Sequence, residues 1–514
     1  MPIGSETSIA LTALAPFAMA LLAPLVHRLI RPFAGWILAL VPAAITLFFA
    51  SLIEPVLSQG AVSASISWIP ALDLNLSFRV DGLSLVFAIT VSGVGTLIVL
   101  YAGAYLEGHR HLGRFFAFLL AFMGAMLGLV LADSMLALFM FWELTSVTSF
   151  LLIGFDHNRQ AARRGAIQAL VITNIGGMAL LAAAVAMHQI TGSWEISAAG
   201  DALRGNELYG LVLALVLLAA FTKSAQLPFH LWLPNAMEAP TPVSAFLHSA
   251  AMVQGGVYLL ARLSPQLGGT AAWSTTLILF GSATLLWGAV QALRQTDLKQ
   301  MLAQTTVASL GLLVLLIGLG TEAAIAAMVL YFAAHALYKA ALFMVVGAID
   351  HETGTRDITV LGGLADKMPV TFIGAAIACL AMIGLPFTLG FFGKEEMYLA
   401  VLNGDWRDTA VLIVLVAGNA LLAAVALLIL VRPFLGPERP TPKVPHEAPL
   451  AMLAGPIVLG AAGIVAAVST DWLGATVLVP ASSVVLGHAI ESHLSLAIDP
   501  RNPLVWLSVV TWAV

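Results

Sequence analysis

A single cysteine, Cys379, stands among 514 residues. One cysteine excludes an internal disulfide, a CxxC redox pair and an iron–sulfur cluster held by this chain alone. No CxxCH haem motif occurs, and nothing in the sequence calls for a metal or a cofactor. Charge is scarce as well: 10% of the residues are Asp, Glu, Lys or Arg, where a soluble domain carries about 25%. Apolar residues fill the space, at 60% hydrophobic content and a mean hydropathy of +0.98. That composition excludes an ordinary soluble domain and fits an all-α polytopic membrane protein. The formal net charge of −5 says little, because the charges are segregated by loop. The N-terminus has no basic n-region and no clear small-x-small cleavage site, so its apolar run reads as a retained span rather than a signal peptide.

Apolar windows of about 20 residues, the length a bilayer requires, fall near 8–26, 35–53, 82–106, 113–132, 135–155, 165–188, 208–233, 240–263, 274–294, 302–319, 323–347, 370–392, 408–433 and 449–468. These are fourteen expected spans, with a weaker stretch at 472–490 as either a fifteenth segment or a surface helix. An apolar dozen from Pro503 is too short to span, which suggests a chain cut inside a helix at Val514. With the N-terminus outside, fourteen Lys and Arg fall in inner loops, among them Arg28, Arg31, Arg110, Arg163, Arg164 and Lys299. Only Arg79, Arg204, Arg262 and Arg407 fall in outer ones. The asymmetry supports both the span count and the external N-terminus.

Two spans carry a Leu-Pro-Phe break, in KSAQLPFHLWLP at Pro228 and IGLPFTLGFFGKE at Pro386. Each is the fourth member of a group of five spans. Five is odd, so successive groups lie in opposite orientations, the pattern of an inverted-topology repeat. The expected organisation is a three-span N-terminal region at 1–112, a first repeat at 113–263, a second at 264–433 and C-terminal spans at 434–514.

The candidate functional residues are the charges that this apolar background should not tolerate. Lys223 ends a long apolar run five residues before Pro228. A charge at bilayer depth costs roughly 2.5–3.5 kcal/mol on insertion scales and survives mainly beside a polar cavity. Glu143, in LALFMFWELTSVTSFLLIGF, offers the opposite charge two spans earlier, so the two could switch a proton between them; a structural hydrogen bond for Glu143 and snorkelling for Lys223 are the plain alternatives. His248, in APTPVSAFLHSAAMVQGG, is a side chain able to donate and accept a proton near neutral pH. His335 and Lys339, at i and i+4 in MVLYFAAHALYKAALFMVV, share one helix face with Tyr331. Lys394 follows the Pro386 break and precedes Glu395 and Glu396, at the expected outer end of the twelfth span. Asp297, Lys299 and the stretch 350–357 read mostly as solvated inner-loop charge. No single one of these groups is decisive; a series of this kind is much harder to explain as packing.

FWELTSVTSFLLIGF, TKSAQLPFHLWLPNAMEAPTPVSAFLHSA, TDLKQMLA and HALYKAALFMVVGAIDHETGTRDI resemble the antiporter-like subunits shared by respiratory complex I and the Mrp-type cation/proton antiporters. NAMEAPTPVSAFLHSA and DHETGTRDI are most similar to the large A subunit of the Mrp group, and the resemblance runs from about residue 75 to the end. It implies a fourteen-helix core of two inverted five-helix units, each with a hydrated half-channel. It implies a proton relay through Glu143, Lys223, His248, His335, Lys339 and Lys394, with sodium or another monovalent cation exchanged for protons. The implied partners are other small membrane subunits and a second antiporter-like subunit, in a bacterial inner membrane. The implied role is that of a transporter subunit rather than an enzyme. Relatives commonly have Lys where this chain has Gln254, often carry two prolines at the second break, and usually continue for several spans past residue 514. A redox-driven proton pump subunit, of a complex I-like dehydrogenase or membrane-bound hydrogenase, is the first alternative. A proton-driven partner in inorganic-carbon uptake, or a non-conducting scaffold, is the second.

Overall fold

A computed structural model describes residues 5–72, 74–402, 406–491, 494, 501 and 503–513, without the side chains of Ser5, Glu6, Leu72 and Trp406. The described chain is a helical bundle. Helices α1 (Ser5–Leu29) and α2 (Ala34–Ser51) lead through the short α3 (Ile53–Gln59) into a hairpin of β1 (Ala61–Ile69) and β2 (Leu74–Asp81). There follow α4 (Gly82–Tyr105), α5 (Leu112–Leu131), α6 (Met135–Ile153), α7 (Gln160–Thr191), α8 (Tyr209–Lys223) and the single turn α9 (Trp232–Asn235). The middle of the chain forms α10 (Thr241–Ser249), α11 (Gln254–Leu267), α12 (Ala271–Leu293), α13 (Leu298–Leu319) and α14 (Glu322–Thr353). Then come α15 (Pro369–Ile383), α16 (Leu389–Leu399), α17 (Trp406–Leu435), α18 (Leu450–Val468), α19 (Thr470–Leu473), α20 (Val479–Leu486) and α21 (Pro503–Ala513).

Twelve of the described helical segments are long and apolar enough to cross a bilayer, and the chain is a multi-pass membrane protein. The two remaining expected spans are the divided ones: α8 stops before Pro228, and α15 and α16 flank Pro386. Proline removes a backbone donor and clashes with the preceding turn, so a helix ends there. Gly384, at φ +76°, closes α15 in a left-handed cap that a side chain would resist. Without water in the hydrocarbon, such breaks persist only where protein or a polar cavity surrounds them.

Polar side chains cap the starts of α4, α12, α13 and α14. Asp81 and Ser84 form a reciprocal box at the head of α4, with Ser84 N–H donating to Asp81 Oδ1 (3.1 Å) and Asp81 N–H donating to Ser84 Oγ (2.8 Å). Asp297 accepts from the backbone of Lys299 and Gln300 at the head of α13 (2.8 and 3.2 Å). Helices α12 and α13 touch backbone to backbone, for an ideal Cβ on Gly281 would sit 2.7 Å from Gly311 O. Membrane helices associate through small residues of this kind, since lipid tails are as apolar as leucine.

The hairpin is a departure from the expected all-helical chain. It runs antiparallel from Ala61↔Asp81 to Ser67↔Asn75, with an irregularity between Ser67 and Ile69. A bridge from Phe78 to Ala132 fastens it across the α5–α6 turn, and a second from Ser134 to Glu195 ties that turn to the loop after α7. The weak stretch near 472–490 is α19 and α20, joined by a π-helical turn at Gly474–Leu478. It packs closely on the core: the Pro480 backbone lies 2.3 Å from where a Cβ on Gly82 would stand.

Candidate functional site

The site begins where α8 ends. Lys223 is its last residue and is wholly buried. Its ammonium reaches across to α6, donating to Trp142 O (3.1 Å) and Ser146 Oγ (2.9 Å) and lying 5.0 Å from the centre of the Trp142 ring. The freed chain beyond it is satisfied locally: Trp232 Nε1 donates to Thr222 O (2.9 Å) and Gln226 Nε2 to Ser224 O (2.8 Å). Glu143 lies between the two α6 residues that Lys223 grips. Its Oε1 is buried against Gly177 of α7, where any Cβ would fall 1.6 Å from it, and it has no hydrogen-bond partner among the described residues. No direct ion pair joins Glu143 to Lys223, so the expected pair is held one backbone step apart. The carboxylate also borders a groove of about 460 Å³ lined by Leu136, Met140, Leu144, Val147 and Leu181.

Span eight carries a break that the sequence does not announce. Helix α10 ends at Ser249 and α11 begins at Gln254. No proline or glycine lies between them. Side chains satisfy part of the opened backbone. Ser224 Oγ donates to Val253 O (2.7 Å) and accepts from Val257 N–H (3.0 Å). The Gln254 amide donates to Ser249 O (3.2 Å) and meets His335 Nδ1 at 3.1 Å. His248, just before the break, is wholly buried between the rings of Trp232 and Phe343. Neither of its ring nitrogens has a partner among the described residues.

Helix α14 supplies the next groups on one face. His335 is wholly buried with Nε2 unpartnered, and Lys339, one turn on, donates to Thr305 Oγ1 (2.6 Å). Tyr331 Oη meets Ser309 Oγ at 2.9 Å and accepts from Tyr338 Oη at 3.2 Å. Lys394, expected at the outer end of the twelfth span where a path could open, lies within α16. It is 2% exposed, and its ammonium donates to Ile383 O (2.5 Å), a carbonyl released by the Pro386 break. Gly393 lies against the Tyr331 backbone, where a Cβ would stand 3.3 Å from Tyr331 N, and this brings Lys394 beside the α14 stripe. Lys299, expected as loop charge, is 1% exposed in the first turn of α13 and donates to Met237 O (2.9 Å) and Ala239 O (2.7 Å). Its NAMEAP acceptors are a signal that folding alone reveals.

The groups therefore form a series rather than a cluster. The Lys223 stem lies beside Gly255, the neighbour of Gln254, where a Cβ would stand 3.6 Å from Lys223 Cγ, and Gln254 contacts His335. From His335 the series continues to Lys339 and the tyrosines, then to Lys394, with His248 joined through Phe343, one turn beyond Lys339. No carboxylate forms an ion pair with Lys223, Lys299, Lys339 or Lys394 among the described residues. Unpartnered buried atoms recur along the line: Glu143 Oε1, both His248 nitrogens, Gln254 Oε1 and His335 Nε2. Interiors rarely leave such atoms unsatisfied, so this line suits mobile partners such as water and protons. No grouping of His, Cys, Asp or Glu suited to a metal ion occurs among the described residues.

Known proteins match this chain along most of its length. The family model described as "NADH:quinone oxidoreductase/Mrp antiporter, TM" matches residues 132–421, and "NADH-Ubiquinone oxidoreductase (complex I), chain 5 N-terminus" matches 66–116. The A subunit of the Na(+)/H(+) antiporter of Alkalihalophilus pseudofirmus is 41% identical over 97% of this chain and 68% of its own length. The A1 subunit of the Na(+)/H(+) antiporter of Staphylococcus haemolyticus is 36% identical over 96% of this chain and 65% of its own. The A/B subunit of a probable K(+)/H(+) antiporter of Rhizobium meliloti is 43% identical over 88% and 46%. Among solved structures, a chain of the Mrp complex from a Dietzia species superposes with a TM-score of 0.89 at 34% identity, covering 98% of this chain and 55% of that one. An archaeal membrane-bound sulfane sulfur reductase shares the fold alone, at TM-score 0.81 and 20% identity. The chain thus spans about two thirds or less of these antiporter relatives.

Proposed function

The chain belongs to the family of NADH:quinone oxidoreductase and Mrp antiporter membrane subunits, and from that premise we propose that it is the proton-translocating part of a multi-subunit monovalent cation/proton antiporter. It moves ions and makes no covalent bond. The observation that carries the reading is Lys223: a wholly buried ammonium at a helix break, held by one carbonyl and one serine and with no carboxylate in ion-pair contact. A membrane interior penalises such a charge heavily, and intramembrane ionisable groups of this kind mark ion paths.

Protons pass between Glu143 and Lys223, across the Gln254 amide to His335, and on through Lys339 towards Lys394, with His248 on a side branch. Gln254 cannot carry the proton as a charge, so it orients His335 and a water instead. The breaks at 224–228, 250–253 and 384–388 open the polar stretches at mid-membrane, as in transporters built on broken helices. The two five-span units at 113–263 and 264–433 supply one half-channel each, preceded by 1–112 and followed by 434–514. The N-terminus faces outward from a bacterial inner membrane, and the partners include a second antiporter-like subunit.

The test is transport. Everted vesicles from an antiporter-deficient host, carrying this gene with its neighbouring subunit genes, are energised and their pH gradient followed by dye quenching. Sodium- or potassium-evoked dequenching supports the reading. Proton pumping on addition of NADH or another reductant, with no response to either cation, supports the redox-pump reading that the shared family model also admits.

A further inference from the structure

A cavity of about 690 Å³, lined by none of the relay residues, opens at the end of the bundle opposite the hairpin. Its walls are the last turn of α1, the first turn of α2, the last turn of α4 and the turn leading into α5. Three arginines face it, Arg28, Arg31 and Arg110, with His27 and His109 beside them and Glu107 as the acid on its lining. None of the three guanidinium groups makes a hydrogen bond or an ion pair among the described residues. At the same end Arg159 pairs with Glu238 and Arg356 with Asp297, whereas Arg164, Arg294 and Arg432 make no such bond among the described residues but do not line this cavity. The floor is a point where α2 and α4 touch, since a Cβ on Gly35 would stand 3.1 Å from Gly103 Cα.

An apolar surface continues from the cavity. Trp36 lines it and is 48% exposed, and Leu40, one turn deeper along α2, is 65% exposed. A tryptophan at a helix end marks the headgroup level, and an apolar stripe below it faces acyl chains. Unpaired cationic groups at headgroup depth, joined to an apolar track descending the same helix face, match the two chemistries of one molecule. We propose that this cavity is a binding site for an anionic phospholipid, whose phosphate lies between Arg28, Arg31 and Arg110 and whose acyl chains run down Trp36 and Leu40. Basic pockets between transmembrane helices recognise such headgroups, and paired phosphates suit three guanidinium groups better than one. A free phosphate would use the arginines but not the apolar track.

The inference rests on the membrane reading of the chain and not on antiport, so a failure of transport leaves it untouched. The test uses the whole complex, purified in detergent and stripped by extended washing. Binding of cardiolipin, phosphatidylglycerol and phosphatidylcholine in mixed micelles is measured by native mass spectrometry and by thermal stabilisation. The expected order is cardiolipin, then phosphatidylglycerol, with phosphatidylcholine inactive. Each of Arg28→Gln, Arg31→Gln and Arg110→Gln weakens cardiolipin binding roughly five-fold, and the triple variant about a hundred-fold. A charge-matched control at the same end of the bundle, Arg164→Gln/Arg294→Gln/Arg432→Gln, leaves it unchanged. Equal loss in the control, no preference over phosphatidylcholine, or complete displacement by inorganic phosphate would each overturn the proposal. Should the triple variant not assemble, the three single changes decide on the same criteria.

Discussion

Replacing Arg262 tests how the hairpin and the helix bearing Gln254 are held together. Arg262 is in α11, 9% exposed, and grips Asp81 with two bonds, Nη1 to Oδ2 (2.5 Å) and Nη2 to Oδ1 (2.9 Å). Its Nε donates to Tyr258 Oη (3.1 Å), which donates to Val130 O (2.6 Å). Asp81 is 2% exposed and caps α4, so one carboxylate joins β2, α4 and α11. Arg262→Met leaves that carboxylate buried with Arg79 at 3.5 Å as its remaining cation, and removing one partner of a buried pair costs about 3–5 kcal/mol. Asp81→Asn strands the guanidinium in the same way while keeping a cap. The double variant costs far less than the sum, with a coupling energy of roughly 2–3 kcal/mol. The assay is denaturant titration of the four proteins in mixed micelles. Burial pushes the Asp81 carboxyl up, but the charge and hydrogen bonds of Arg262 outweigh it and hold the group below the usual carboxylate range. A depressed folded value stabilises above the unfolded pKa of about 3.9 and is lost as pH falls through the folded one. Acid therefore weakens wild type and relieves the variant, and the two stability curves converge. Additive single costs, or an Arg262→Met penalty below about 0.5 kcal/mol, would refute this account.

Other perturbations separate packing from transport. Gly256→Ala puts a Cβ 2.3 Å from Ala220 O and 2.4 Å from Ser224 Oγ, forcing α11 off α8. It should cost about 1–3 kcal/mol in the same titration and lower antiport with it. Tyr331→Phe removes the hydroxyl shared with Ser309 and Tyr338 at about 1 kcal/mol, yet leaves the Gln254–His335 contact; vesicle antiport should persist in it and collapse in His335→Ala. Asp297→Ala deletes the α13 cap and the Arg356 partner, for about 1–2 kcal/mol, visible as a lower melting temperature with transport per assembled complex unchanged.

Much of the fold is legible in the sequence because membranes impose long apolar windows, and because Pro228 and Pro386 write their breaks into the chain. Lys223, Glu143, His248, His335 and Lys339 are legible for the same reason, as polar groups inside such windows. The hairpin is masked by its position between two long apolar windows, although AVSASISWI and LNLSFRV contain a two-residue alternation. The break between Ser249 and Gln254 has no proline to mark it; it is stabilised by Ser224 and by His335, remote in sequence. Arg262 and Lys299 read as loop charges because they stand at span edges. Their burial follows from Asp81, Met237 and Ala239, partners 60 to 181 residues away that no local pattern reveals.

The most direct measurement of the central claim is cation-evoked dequenching in everted vesicles with the whole complex carrying Lys223→Ala, set against wild type at equal assembled protein. The account predicts that sodium or potassium collapses the pH gradient in wild type and leaves it standing in the variant, while the complex assembles normally. Antiport at the wild-type rate in Lys223→Ala would contradict it, and would make this buried ammonium a structural group rather than a step in the proton path.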